Sequence, residues 1–185
     1  MKGSSIGLRV RVMAAFASSF ITGAVVIFAL ASLGGAGARL AVPLRWRIAA
    51  AAVCLFALAA ADLFSLHRKS YCVIGMWRQA RQSLVRDHPV TIVAAVWGFD
   101  TGLAITTFRV AAVTWGALIL ALFGFASWWI GIAYGVAFTV PLLALLLTET
   151  NGGQLERLLR RRPVIQSLSA VLLLAAGGFL LIPIF

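Results

Sequence analysis

The sequence predicts an all-α polytopic membrane helix bundle with five transmembrane segments, the third of them long and broken. Three observations predict it. Of the 185 residues, 62% are hydrophobic and the mean hydropathy is +1.02, against about 45–50% apolar residues in soluble domains. The 16 Lys and Arg fall almost entirely between apolar runs, as basic loops do when they orient a chain across a bilayer. The stretch 89–125, PVTIVAAVWGFDTGLAITTFRVAAVTWGALILALFGF, is too long for one straight membrane helix and carries an acid and a base in its middle.

A single membrane domain over residues 1–185 is expected. Residues 12–33 form the first charge-free run, preceded by Lys2, Arg9 and Arg11. Its 22 residues span a core of ~30 Å at ~1.5 Å per residue. A signal peptide needs an apolar core of only ~7–15 residues, so an uncleaved span is expected. Residues 34–47 read as a turn-rich loop with Arg39, Arg45 and Arg47, and residues 48–66 as the second span. Asp62 near the end of that span is expected to reach the interface beside His67 and Arg68. In the loop 67–88, Val73, Trp77, Ala80 and Leu84 recur at helical spacing, which fits a helix lying in the headgroup plane or a plain connector. Residues 128–147 are a further span, in which Gly131 and Gly135 allow a neighbouring helix to approach and Pro141 removes one backbone donor. After a polar, basic segment at 149–162, residues 164–184 form the last span.

Loop charge decides how the central stretch crosses. With one crossing, the N-terminus, the loop 67–88 and the segment 149–162 lie on one side with three, five and four basic residues, twelve together; the other side holds three. With two crossings, turning near Arg109, the tally is eight against eight. The positive-inside rule selects one crossing, five spans, a cytoplasmic N-terminus and an outside C-terminus in the cytoplasmic (inner) membrane.

One crossing by 37 residues leaves a surplus, so span 90–125 is expected to break between Gly98 and Arg109. Gly98 and Gly102 permit unusual backbone angles there, and Thr hydroxyls re-satisfy freed backbone groups. Asp100, Thr101, Thr106, Thr107 and Arg109 are the candidates for a substrate or ion path. An ionisable residue at membrane depth is expensive and points to function by default. Asp100 and Thr107 share a face of a continuous helix, whereas Asp100 and Arg109 meet as an ion pair only across a break. A fold-fixing ion pair is the competing reading. Asp100 is expected to face the bundle interior. Gly98, Gly102, Gly131, Gly135 and Pro141 are the candidate helix-break or packing positions.

The run Trp97-Gly98-Phe99-Asp100-Thr101-Gly102 resembles a motif of the nickel/cobalt transporter family. The longer pattern resembles the CcdA/DsbD family of transmembrane thiol-disulfide conduits, which shares the LysE-type superfamily with it. The correspondence runs through Gly98–Gly102, the apolar 110–125, Ala133-Tyr134-Gly135 with Pro141, and 164–185. The resemblance implies a membrane bundle with a broken helix. Thr106 stands where the second-half cysteine falls, and the first broken helix with its own cysteine is lacking. Loss of that helix from a six-span family leaves five spans and a cytoplasmic N-terminus. His67 and His88 both lie in a loop, so the His/Asp-rich helix of the metal transporters has no counterpart here.

Three functions follow as expectations: a small-solute or ion permease of the LysE/CcdA type, a non-transporting membrane subunit that anchors or assembles a partner, and an accessory to transmembrane thiol-disulfide electron transfer. The expected partners are the lipid bilayer and either further copies of the chain or a membrane or periplasmic protein. No cofactor, no metal and no nucleic acid is expected, since the basic residues are loop charges. No hydrolase, kinase or dinucleotide signature points to an enzyme, and Gly34-Gly35-Ala36-Gly37 lacks the preceding strand of a phosphate loop. Cys54 and Cys72 are expected to remain free thiols.

Overall fold

The computed structural model describes residues 3–68, 86–104, 111–148 and 160–182. Over these the regular secondary structure is all helical: α1 (Gly3–Ala41), α2 (Leu44–His67), α3 (Val90–Gly102), α4 (Val113–Leu122), α5 (Ile130–Thr148) and α6 (Arg162–Leu181). Three of them, α1, α2 and α6, are long and apolar enough to cross a membrane; α3, α4 and α5 are apolar and shorter. Prolines mark the starts. Pro43 precedes α2, Pro89 precedes α3 and Pro163 stands in the first turn of α6, where the missing N–H is no loss. Pro141 lies inside α5 without ending it.

Helix α1 departs most from expectation. It runs unbroken through 34–41, the segment read as a loop. The glycines there serve close approach rather than turning. A Cβ at Gly35 would collide with the Ala121 carbonyl oxygen and meet the backbone of Gly124. Only Val42 and Pro43 separate α1 from α2.

The contacts fix the sense of each helix. Gly98 lies on Phe16 and Gly102 on Phe20, so α3 runs parallel to α1. Gly131 lies on Ala24 and Phe28, and Gly135 on Ile21, so α5 runs antiparallel to α1. Leu118 packs with Phe28 and Ala121 meets Gly35, so α4 is parallel to α1 as well. On the other flank, α2 runs against both α4 and α6: Asp62 meets Ala112 and Ser169, Leu55 meets Gly116, and Phe56 meets Gly177. The bundle is therefore two triplets. One is α1 with α3 and α5; the other is α2 with α6 and with α4, which bridges the two and packs more extensively on α1 than on α2 or α6.

In the first triplet backbone meets backbone. Cβ atoms at Gly23, Gly98 and Gly102 would each collide with a carbonyl oxygen of the facing helix, those of Phe99, Phe16 and Phe20. Small residues at a helix interface give this approach where lipid removes any hydrophobic preference for association. Gly98 and Gly102 lie inside α3 and adopt no positive φ, so they are packing positions. Rings fill the rest: Phe20 stacks on Phe138 at 4.6 Å between centroids, and Tyr134 leans on Phe20 and Phe28.

The chain leaves the helical path after Gly102. Leu103 and Ala104 close the last turn, with the Leu103 N–H donating to Phe99 O and the Ala104 N–H to Thr101 O. Ala104 is fully buried at φ 63°, a left-handed conformation that costs a residue with a Cβ about 1–2 kcal/mol. The helix resumes as α4 at Val113 and ends in a Schellman turn. Gly124 stands at φ 79°, its N–H donates to Ala121 O, and the Phe125 N–H donates to Leu120 O.

Candidate functional site

Helix α2 buries one stripe: Arg47, Ile48, Ala51, Ala52, Leu55, Ala59, Asp62 and Ser65. The spacing of three and four is that of a core-facing helix seam. Asp62 therefore belongs to the packed face and not to the interface. It is 0% exposed, which corrects the expectation that it reaches solvent beside His67 and Arg68. Those residues follow it by one to two turns, and the packing of α4 and α6 against the stripe decides its surroundings.

Its partners explain how an acid is held there. The first turn of a helix leaves N–H groups without intrahelical acceptors. At the start of α4 the N-cap is Ala112, whose side chain cannot accept a hydrogen bond. Asp62 supplies the acceptor from another helix. The Ala112 N–H donates to both carboxylate oxygens at 3.0 Å. The Ser169 hydroxyl of α6 donates to Oδ2 at 2.5 Å. The positive end of the α4 dipole favours negative charge at this position. One carboxylate thus joins α2, α4 and α6.

More polar groups follow the same seams. Ser65 lies one turn after Asp62, fully buried, with its hydroxyl donating to Ala61 O at 2.8 Å. Gln166, 1% exposed, lies one turn before Ser169 on α6, and Thr114 is buried in the first turn of α4. Leu55, Ala59, Ala112 and Leu173 pack into an apolar cluster beside them. Gly116 makes room, since a Cβ there would strike the Leu173 side chain.

The sequence-predicted site divides around the interruption. Asp100 and Thr101 sit in the last turn of α3, both half-buried, and Thr101 Oγ1 donates to Trp97 O at 2.7 Å. By helical spacing Asp100 lies on the side of α3 turned from the Ala94, Gly98 and Gly102 contact with α1. Thr106, Thr107 and Arg109 lie outside the described residues, as do Cys72 and the helical pattern from Val73 to Leu84. Cys54 is a free, half-buried thiol. Among the described residues no three His, Cys, Asp or Glu side chains come together.

A second buried charge stands at the opposite end of α2. Arg47, read as part of a loop, is 8% exposed. Its Nε donates to Val42 O at 3.2 Å and its Nη1 to Phe123 O at 3.1 Å. The guanidinium also lies 5.7 Å from the Phe125 ring centroid. It ties the α1–α2 turn to the C-terminus of α4, the helix end that favours a cation. Helix α4 thus carries an acid from α2 at its start and a base from α2 at its end.

Compared with known proteins, the chain matches no protein-family model, no curated protein and no solved structure.

Proposed function

We propose that the chain is a five-crossing integral membrane protein of the cytoplasmic membrane, N-terminus inside, acting as a small-solute or ion permease of the LysE/CcdA type. In this reading α3 and α4 make one interrupted crossing. They share a direction, and their 13 and 10 residues placed end to end reach about 35 Å, enough for a hydrocarbon core of ~30 Å. The senses of α1, α2, the α3–α4 pair, α5 and α6 alternate, as five crossings require. The loop-charge count supports the same topology.

The observation that carries the transport reading is the interruption with a buried carboxylate at its far side. Interrupted helices persist at membrane depth where they line a cavity or are buried in protein, and half-helix ends form the binding sites of many transporters. Asp62 replaces Asp100 as the first ionisable group assigned to the path, with Asp100 and Thr101 on the near side. Asp62→Asn keeps the shape and one acceptor for Ala112 but cannot ionise. Proteoliposomes with an entrapped pH-sensitive dye, under an imposed pH gradient, test the role. Flux in the wild type and none in a folded Asp62→Asn protein supports it; equal flux in both removes it.

A second reading rests on the same carboxylate. Both of its oxygens already serve Ala112 and Ser169, which suits a structural pin in a non-transporting subunit that anchors a partner. Absence of flux from the wild type, with a membrane or periplasmic protein co-purifying in fixed ratio, selects that reading.

A further inference from the structure

The end of the bundle where α1 turns into α2 carries unspent positive charge. Arg39 stands in the last turn of α1 and Arg45 in the first turn of α2, six residues apart across the Val42–Pro43 turn. Both are exposed, and neither makes a hydrogen bond or ion pair among the described residues. Arg47 beside them is occupied by two carbonyls. Neither residues 34–61 nor 111–148 contain Asp or Glu, so within these described segments no carboxylate side chain balances the pair. The Arg39 stem passes Gly124, which carries the end of α4 to the same place.

Two further observations say what lies outside. Helix α1 is an unbroken ruler: from Arg11 to Arg39 it measures about 42 Å at ~1.5 Å per residue. A bilayer with both headgroup layers is ~40–45 Å thick. With α1 across the membrane, Arg39 therefore stands at headgroup depth. Three indoles belong to this end of the bundle. Trp46 is 60% exposed, and Trp128 and Trp129, just after the α4 terminus, are 50% and 57% exposed. The Arg45 guanidinium lies 5.8 Å from the Trp46 ring centroid. Exposed Trp gathers at membrane–water interfaces.

We propose that Arg39 and Arg45 bind the phosphate of an anionic phospholipid headgroup, with Trp46, Trp128 and Trp129 seated in the headgroup layer around it. Guanidinium suits phosphate because its planar donors pair with two oxygens at once. The lipid phosphate is the source favoured here, because the indoles and the length of α1 hold the pair in the layer where such phosphates lie. The inference rests on α1 crossing a bilayer and is independent of transport.

Native mass spectrometry of the full chain, released from bilayers of phosphatidylcholine and phosphatidylglycerol in equal amounts, tests it. The wild type is expected to retain phosphatidylglycerol in preference to phosphatidylcholine. Arg39→Gln with Arg45→Gln should lower that retention about tenfold, while Arg39→Lys with Arg45→Lys keeps most of it. Arg9→Gln with Arg11→Gln, equal in charge removed, should leave it unchanged. Equal loss in both Gln pairs would show only a net-charge effect and overturn the site. Unchanged retention in the Arg39/Arg45 pair overturns it as well, as does displacement of the lipid by millimolar inorganic phosphate. The flux assay is indifferent to these outcomes, so the two proposals fail separately.

Discussion

The two triplets of the bundle are held by different chemistry. In α1, α3 and α5, glycines press against carbonyl oxygens and rings fill the gaps; the buried hydroxyl of Thr139 donates within its own helix, to Gly135 O. In α2, α4 and α6, the seam carries Asp62, Ser65, Thr114, Gln166 and Ser169, and hydrogen bonds cross between helices. Shape alone specifies the first triplet, and it tolerates no added volume. The second adds hydrogen bonds between helices at Asp62 to close packing at Gly116 and Gly177. Small-residue packing and interhelical hydrogen bonds are the two general ways to join helices in lipid. Here the interhelical hydrogen bonds gather at Asp62, while the glycine contacts against backbone gather on α1.

The contrast can be broken most sharply on the glycine side. Gly98→Val or Gly102→Val drives a side chain into the backbone of α1, which has no rotamer with which to yield. Each is expected to cost about 3 kcal/mol, the upper part of the overpacking range, seen as a lowered unfolding midpoint in mixed micelles. A wild-type midpoint would remove the close-packed interface. On the polar side, Asp62→Leu leaves the Ala112 N–H and the Ser169 hydroxyl without their acceptor and should cost about 2–3 kcal/mol. Asp62→Asn keeps one oxygen and should cost about 1 kcal/mol. If Leu proves no worse than Asn, the carboxylate is not the cap of α4.

A finer test is the cycle of Asp62→Asn with Ser169→Ala. A coupling energy of about 1 kcal/mol is expected, whereas additivity would mean that the hydroxyl does not serve the carboxylate. The smallest effect belongs to Ala104, which packs against Phe28 and Leu118. Ala104→Gly relieves a left-handed φ by about 1 kcal/mol and loses a buried methyl of about 0.8 kcal/mol. The midpoint should stay within error of the wild type, while Ala104→Val, β-branched at φ 63°, should fall clearly below it.

Apolar length, prolines and basic loops made the helices and their order legible. The chain does leave helical geometry between Gly98 and Arg109, and Gly131 and Gly135 do admit a neighbour, which is α1. What the sequence hid has a common physical cause. In a soluble helix the core face is apolar and the other face polar, so periodicity identifies the inside. Here the outer faces are apolar too. Gly34–Gly37 therefore reads as a turn, though Gly35 is a contact inside a helix. Asp62 reads as a residue near the end of a span, because its partners lie 50 and 107 positions away. The signal available was register: Leu55, Ala59, Asp62 and Ser65 fall on one stripe, and an acid on a stripe of small and apolar residues is an acid that needs a partner.

Asp62 also has a consequence for the order in which the protein is made. Among the described helices its own is the second to leave the ribosome, Ala112 opens the fourth, and Ser169 belongs to the sixth. Until those arrive, α2 waits with an acid on the face it must bury, while α1 can begin to pair as soon as α3 emerges. The glycine-lined pair of α1 and α3 can therefore form before the charged seam is complete. A chain stopped short of α6 would present Asp62 without its serine, a mark by which membrane quality control can tell an unfinished copy from a finished one.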